Sequence, residues 1–169
     1  MLFCIELGTR RVHLAGCTTH PHTTWVTQQA RQLIRILEAA HQEKAFLVRD
    51  NDQKFPSACD TVFTSQGLQI VTIPDRAPRA NAFAERWVCS VRHECLDQIL
   101  IVNERYLRRV LQEYVEFYNQ ARPHRSLDQQ FPISGPERST EGPIHGRNVL
   151  GGILHDYYRH PTDPVPSGG

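Results

Sequence analysis

Residues 47–55, LVRDNDQKF, run from three strand-forming residues directly into two aspartates, Asp50 and Asp52. An acid at the end of a buried strand can bind a metal ion, cap a turn or lie in solvent. A calcium loop of the EF-hand type is excluded, because Lys54 and Phe55 stand where that loop needs an oxygen ligand and a glycine. The stretch therefore predicts a strand that ends in carboxylates, and the rest of the chain decides what they do.

The composition is that of an ordinary globular domain of 169 residues. Hydrophobic residues make up 40%, which is enough for a core, and the net charge of +1 neither favours nor excludes nucleic acid as a partner. Five cysteines without a C-x-x-C pair indicate reduced thiols rather than disulfides or zinc ligands. No apolar run reaches the length of roughly 18 residues that a membrane-spanning helix needs.

The apolar periodicity predicts alternating strands and helices. Strands are predicted at 2–7, 11–16, 45–49 and 68–74, the first two joined by a two-residue turn at Gly8-Thr9. Helices are predicted at 25–41, 57–66, 82–100 and 103–120. Such an order is typical of an α/β fold in which helices cover a sheet. Residues 133–169 are rich in Gly, Pro and Ser, and we expect an extended tail with one apolar docking segment at 149–158.

Asp50 has a possible partner in Glu85, which lies 35 positions later in the predicted helix 82–100. An acid at the end of a strand and an acid on a helix that crosses the sheet can converge on one divalent ion. Mg²⁺ prefers such oxygen ligands, and it usually combines one or two carboxylates with substrate phosphates. An isolated pair of this kind is more often two surface charges or helix caps, so the surrounding motifs carry the argument.

Three separated stretches resemble the catalytic core of the retroviral integrase superfamily, in its bacterial insertion-sequence transposase branch. LVRDNDQKF (47–55) is similar to the family's strand that ends in a catalytic Asp, and PRANAFAE (78–85) to its Pro-x-x-Asn-Ala-x-x-Glu motif. YNQARPH (118–124) resembles the Tyr-Asn-x-x-Arg-Pro-His signature that closes these cores. The resemblance implies that Asp50 and Glu85 are two acids of an Asp-Asp-Glu triad that binds Mg²⁺ or Mn²⁺.

The resemblance also implies a fold and DNA contacts. It implies a three-layer ribonuclease H-like α/β fold in residues 1–132, with its first strand missing, followed by the tail 133–169. Arg92 and His93 stand where the family carries a basic pair, and together with Arg79 they are the predicted DNA-binding residues. An ordinary solvated arginine is an equally good interpretation of Arg92.

One departure from the family pattern limits the expected activity. In the family, the first acid of the triad lies on a strand that precedes a hairpin such as the one predicted at 2–16. We therefore expect an N-terminally truncated core that lacks its first catalytic Asp and is inactive alone. Glu6 lies on a predicted strand but matches a hairpin position, and Asp52 matches no acid of the family.

Two hypotheses remain open from the sequence. In the first, the chain is a fragment of a transposase that cleaves and joins DNA phosphodiesters by metal-dependent phosphoryl transfer. In the second, it is a catalytically dead remnant that acts only as a DNA-binding or transposase-interaction module. Both predict transposon ends and target DNA as partners, and either self-association or pairing with a full-length transposase. Both also predict a location in the bacterial cytosol or nucleoid and no membrane partner.

Overall fold

The computed structural model describes residues 1–39, 46–50, 57–74, 81–133 and 139–159. Within these ranges the chain forms four α-helices and six β-strands, and the strands pair into three two-stranded sheets. The fold class is therefore mixed α/β, as the periodicity predicted. The three-layer ribonuclease H-like arrangement stays a prediction.

The first sheet is an antiparallel hairpin of β1 (Leu2–Ile5) and β2 (Val12–Gly16). Ile5 lies opposite Val12, and the side chains of β1 alternate between the two hydrophobic clusters of the protein. This alternation follows from the two-residue period of a strand, which sends successive side chains to opposite faces. The hairpin therefore lies between two packed layers.

The predicted two-residue turn at Gly8-Thr9 is wrong. Glu6 and Arg11 are still paired, since the Glu6 N–H donates to the Arg11 carbonyl at 2.9 Å, and four residues separate them. The left-handed residue is Arg10, with a φ of 63°. The Thr9 hydroxyl donates to Glu6 at 2.8 Å and accepts from the Arg11 N–H at 3.2 Å, and these bonds stabilise the wider loop.

Helices α1 (Thr23–Ala39) and α2 (Ser57–Thr64) pack together and form one hydrophobic cluster. The apolar residues of α1 recur at helical spacing, so they share one face. The buried residues of this cluster are Val26, Ala30, Leu33, Ile34, Leu37, Cys59 and Phe63. Burial raises the pKa of the Cys59 thiol to about 11, so Cys59 packs there as a small neutral hydrophobe.

The second sheet pairs β3 (Phe46–Arg49) with β4 (Gln69–Thr72) in parallel, with Phe46 opposite Gln69. Parallel strands need a crossover connection, and α2 provides it between these two strands. Leu47 and Ile70 pack against the cluster of α1 and α2. This unit places the residue that follows β3, Asp50, at a carboxyl end of the sheet.

Helix α3 (Ala82–Glu94) ends earlier than the predicted helix 82–100. The chain leaves helical geometry at Cys95 (φ −133°, ψ −69°) and continues in a 3-10 turn, Leu96–Gln98. Cys95 is completely buried and Leu96 packs against the same core. The helix ends where burial of these two side chains requires it, and neither Gly nor Pro marks the position in the sequence.

Helix α4 (Glu104–Gln120) begins where it was predicted, because the Asn103 side chain accepts the Tyr106 N–H at 2.8 Å and caps the helix. Its buried face meets α3 in the second and larger hydrophobic cluster. Trp87 of α3 is completely buried there, with ring centroids of Tyr118 at 4.7 Å and Tyr114 at 5.6 Å. These aromatic contacts fix the position of α3.

The third sheet is an antiparallel hairpin of β5 (Ile144–Val149) and β6 (Leu154–Arg159). The sequence had predicted an extended tail here, and that interpretation is wrong over the hairpin. Gly151 and Gly152 both have positive φ, 68° and 99°, so the glycines that made this region resemble a tail form its turn.

The apolar docking segment predicted at 149–158 does contact the rest of the protein. Val149 and Leu150 are buried in the larger cluster, and the Leu150 N–H donates to the Glu113 carboxylate of α4 at 2.6 Å. The division of the chain into a core and a tail stays a prediction. None of the helices in the described ranges combines the length and the apolar character that a bilayer crossing requires.

Candidate active site

Asp50 directly follows β3 and is exposed. The strand end is fixed by Arg49, whose guanidinium donates to both carboxylate oxygens of Asp60 on α2, at 3.0 and 2.7 Å. A third donor of the same guanidinium reaches the Asp50 carbonyl at 2.8 Å. The hydrogen bonds to Asp60 raise the pKa of Arg49, so this anchor is permanently charged. Arg49 thereby connects the backbone at Asp50 to α2.

Glu85 lies in the first turn of α3, where its N–H donates to the Asn81 carbonyl at 3.0 Å. Its side chain is exposed, two residues before the buried Trp87. A carboxylate in the first turn of a helix is favoured by the partial positive charge of that end. Asn81 precedes the helix without a side-chain cap bond. The aromatic core holds the backbone of Glu85, and the side chain is directed away from it.

Four of the five predicted site residues line one cleft of about 1300 Å³. Asp50, Glu85, Arg92 and His93 all line it. Two acidic and two basic residues therefore belong to the lining of one cleft. A cleft with this lining can accept a divalent cation and a phosphodiester together.

The described part of the lining contains two further acids, and both are bound by protein groups. Glu6 is buried, accepts His13 Nε2 at 2.7 Å and accepts the Thr9 hydroxyl at 2.8 Å. Asp60 is the partner of Arg49. Glu6 is therefore committed to the hairpin, in agreement with its match to a hairpin position of the family.

His93 and Arg92 stand at the last turn of α3, and both are exposed. The His93 Nδ1–H donates to the Cys89 carbonyl at 2.9 Å, one turn earlier, with the Cys89 sulfur at 3.4 Å. In the neutral ring this leaves the lone pair on Nε2. A protonated His93 would offer the Nε2–H as a donor, which a phosphate oxygen can accept.

Two residues of the sequence prediction, Arg79 and Asp52, lie outside the described residues. Within the described ranges, no group of three or more His, Cys, Asp or Glu side chains is arranged to hold a metal ion. A cation at Asp50 and Glu85 would therefore take its remaining ligands from phosphate and water. Mg²⁺ commonly binds in this manner.

Glu94 and Arg122 form an ion pair that the sequence analysis did not predict. The Arg122 guanidinium donates to Glu94 through Nε at 2.9 Å and Nη2 at 2.6 Å, and the Tyr114 hydroxyl donates to Glu94 at 2.7 Å. Burial alone would raise the pKa of Glu94, but the bonds from Arg122 and Tyr114 lower it. The pair therefore ties the end of α3 to the segment that follows α4.

Asn119 belongs to the same closing motif and binds β2. Its side-chain oxygen accepts the Val12 N–H at 2.9 Å, and its side-chain nitrogen donates to the Val12 carbonyl at 2.9 Å. The Asn119 amide thus makes the two hydrogen bonds to Val12 that the backbone of a neighbouring strand would make. His124 is buried edge-on against Tyr118, and burial lowers its pKa, so it packs as a neutral ring. The Tyr-Asn-x-x-Arg-Pro-His motif is therefore structural in this protein.

Comparison with protein families agrees with the interpretation of two of the three motifs, 78–85 and 118–124, whereas 47–55 lies outside the match. Residues 66–132 match the family described as "Integrase core domain". The match begins just before β4 and includes α3, α4 and the closing motif. The predicted resemblance to the integrase superfamily is thus confirmed over this segment.

Among curated proteins, the chain is similar to the "Insertion element IS476 uncharacterized 39.2 kDa protein" of Xanthomonas euvesicatoria. The two are 33% identical over 98 residues, which is 56% of this chain. The matched stretch is 28% of that relative, so the chain spans less than a third of its length. The similarity supports the insertion-sequence branch of the superfamily.

Proposed function

We propose that this chain is a catalytic-core region of an insertion-sequence transposase and binds DNA together with a divalent cation in the cleft. The carrying observation is that Asp50 and Glu85 line one cleft with Arg92 and His93. The match to the integrase core domain and the similarity to an insertion-element protein support this assignment.

The residues of the cleft fit the chemistry of phosphoryl transfer. Asp50 and Glu85 would hold Mg²⁺ or Mn²⁺ through carboxylate oxygens, and Arg92 and His93 would bind the phosphate backbone. When bound, the cation supplies charge neutralisation at the phosphate and a more acidic attacking water or 3′-hydroxyl. The protein contributes mainly position and electrostatics, since this reaction needs little other covalent chemistry.

The second candidate function is binding without cleavage. Of the acids in the described lining, Glu6 and Asp60 are occupied by His13 and Arg49, and the other two are the predicted pair. A site with two carboxylates can hold a cation and a phosphate without reaching the two-cation geometry of an active transposase. The partner would then be DNA alone, or a longer transposase.

Binding of Mn²⁺, followed by electron paramagnetic resonance, tests the site. We expect Asp50→Asn and Glu85→Gln each to weaken Mn²⁺ binding by at least roughly 10-fold, because loss of a residue that only supports a ligand already costs roughly 10- to 100-fold. Asp97→Asn is the matched control, because Asp97 is an exposed acid on the 3-10 turn and does not line the cleft. Unchanged Mn²⁺ affinity in both site variants would overturn the assignment of these acids.

Incubation of the chain with an end-labelled DNA duplex and Mn²⁺ separates the two functions. Mn²⁺-dependent DNA binding without cleavage, lost in Asp50→Asn, supports the binding function, and we expect this result for the chain alone. Cleavage that disappears in Asp50→Asn would instead support an active enzyme. DNA binding that is equal with and without Mn²⁺, and equal in the variants, would contradict a metal site at these two acids, and absence of DNA binding would contradict both functions.

A further inference from the structure

Cys89 and His93 form a close pair on the surface of α3. They are four residues apart, so one turn of the helix brings their side chains to the same face. The Cys89 sulfur lies 3.4 Å from His93 Nδ1, and the same nitrogen lies 2.9 Å from the Cys89 carbonyl oxygen. Both residues are exposed, and both line the cleft. A thiol and an imidazole are therefore held together where a solute can reach them.

Cys89 differs from the other four cysteines in its exposure to solvent. Cys17, Cys59 and Cys95 are buried, and Cys4 is partly buried, whereas Cys89 is exposed. Burial raises the pKa of the Cys59 thiol and of the Cys95 thiol to about 11, which keeps both neutral in the core. The thiolate is the form of cysteine that binds metal ions. Cys89 is therefore the cysteine of this chain that is best placed to bind one.

The distance between the two donor atoms fits a tetrahedral metal site. Zinc binds a thiolate sulfur at about 2.3 Å and an imidazole nitrogen at about 2.0–2.1 Å. With a tetrahedral angle of about 109° between these bonds, the sulfur and the nitrogen are roughly 3.5 Å apart. The separation of 3.4 Å between the Cys89 sulfur and His93 Nδ1 agrees with this value. A cation can therefore bridge the two atoms with little movement of either side chain.

Two charged residues of α3 flank the pair in the cleft lining. Glu85 precedes Cys89 by four residues on the same face, and its negative charge favours a cation. Arg92 precedes His93 directly, and its positive charge opposes one. Because these two effects offset each other, the donor atoms decide which cation binds. Thiolate and imidazole select Zn²⁺ and similar ions, whereas Mg²⁺ prefers oxygen ligands.

We propose that Cys89 and His93 bind a thiophilic divalent cation, Zn²⁺, through the Cys89 sulfur and His93 Nδ1. Within the described ranges no larger group of metal-binding side chains is arranged around an ion, so water would complete the tetrahedron. The thiol proton leaves to solvent and the Nδ1 proton of the neutral ring is replaced by one on Nε2, so one proton is released for each cation bound. Such a site differs from the four-ligand structural zinc sites that Cys-x-x-Cys pairs indicate. The inference requires neither DNA binding nor a cation at Asp50 and Glu85.

Titration of the reduced protein with Cd²⁺ at neutral pH tests the pair, because a bond between cadmium and a thiolate absorbs in the ultraviolet. We expect an absorption band that saturates at one Cd²⁺ per chain, and that Zn²⁺ removes by competition but excess Mg²⁺ does not. Cys89→Ser should abolish the band. His93→Gln should weaken Cd²⁺ binding by at least roughly 10-fold, because loss of a residue that only supports a ligand already costs roughly 10- to 100-fold. An equal band in Cys89→Ser, or equal affinity in His93→Gln, would overturn the proposal.

Two control variants remove a thiol and an imidazole elsewhere. Cys4→Ser removes a partly buried thiol of the same cleft lining, and His20→Gln removes an exposed imidazole that does not line the cleft. Circular dichroism checks that each variant is folded. Both folded controls should bind Cd²⁺ with the affinity of the wild type. Loss of the band in either of them would contradict the assignment to Cys89 and His93.

Cys89→His distinguishes coordination by the pair from reaction of a single thiol. Two histidines four residues apart on a helix can hold zinc, so this variant should still bind Zn²⁺ in calorimetry while the cadmium band disappears. Loss of Zn²⁺ binding as complete as in Cys89→Ser would show that this spacing forms no site, and would overturn the proposal. A complex of two chains per Cd²⁺ in sedimentation would place the thiol between chains and would also overturn it. The Mn²⁺ measurement on Asp50 and Glu85 is independent, so failure of either site leaves the other tested.

Discussion

Glu85 stands on a helix whose inner side carries Trp87 at the centre of the larger core, whereas Asp50 follows a four-residue strand whose Phe46 and Val48 are exposed. The region around Glu85 is also held by the buried contacts of Asn119 with Val12 and by the half-buried contacts of Glu94 with Tyr114 and Arg122. Among the described residues, the Asp50 region contacts the cluster of α1 and α2, and Arg49 pairs with Asp60. Local stability follows the density of such contacts, so the two acids belong to parts of unequal stability. The geometry of the acid pair therefore depends on the weaker part.

We expect the largest loss of stability from Asn119→Leu, a substitution in the more tightly packed region around Glu85. Leucine has nearly the same shape as asparagine but leaves the Val12 N–H and carbonyl without their partner, in a residue that is 1% exposed. We expect the free energy of unfolding to fall by about 3 kcal/mol, since each buried unsatisfied group costs about 1–3 kcal/mol. Urea denaturation at pH 7 measures it.

Gln112→Leu is the control for that experiment, because Gln112 is exposed on the same helix. We expect it to change the free energy of unfolding by no more than about 0.5 kcal/mol. A loss below about 1 kcal/mol in Asn119→Leu would show that water or a shifted backbone replaces the amide. The two regions would then differ less than their contacts indicate.

A smaller effect is expected at Arg122 and Glu94, whose side chains are 28% and 29% exposed. Arg122→Met should lower the free energy of unfolding by about 1–2 kcal/mol at pH 7, less than for a fully buried pair because solvent screens the charges. The pKa of Glu94 is lower in the folded protein than the ordinary glutamate pKa of 4.5. Ionised Glu94 therefore stabilises the folded protein above pH 4.5, and this stabilisation is lost as the pH falls through the lowered pKa.

The pH dependence provides the check on that pair. Glu94→Gln should be less stable than the wild type at pH 7, and the difference should shrink as the pH falls below 4.5. Denaturation curves across this range measure the convergence. A difference that stays constant down to the acid limit would mean that the substitution acts through packing rather than through the charge of Glu94.

The sequence predicted what local chemistry determines and missed what distant partners determine. The start of α4 after Asn103 followed from its cap and from periodicity. The family motifs predict the acid pair Asp50 and Glu85, and that assignment stays a prediction. The end of α3 did not, because burial of Cys95 in a core that includes distant residues fixes it. The role of Asn119 was also hidden, since its partner Val12 is 107 positions away. Long-range contacts of this kind leave no signal in a single sequence.

We expect the smallest effect on overall stability from Asp60→Asn, a substitution in the region around Asp50. Asp60 and Arg49 are 28% and 17% exposed, so loss of their ion pair should cost about 1 kcal/mol. Because Arg49 also holds the Asp50 carbonyl, hydrogen exchange should accelerate in β3, β4 and α2 while α3 and α4 stay unchanged. Mn²⁺ affinity should fall although both proposed ligands are present, and Asp97→Asn should change neither readout. If exchange instead accelerates equally in α4, the two regions open as one unit, and the core around Trp87 then sets the geometry of both acids.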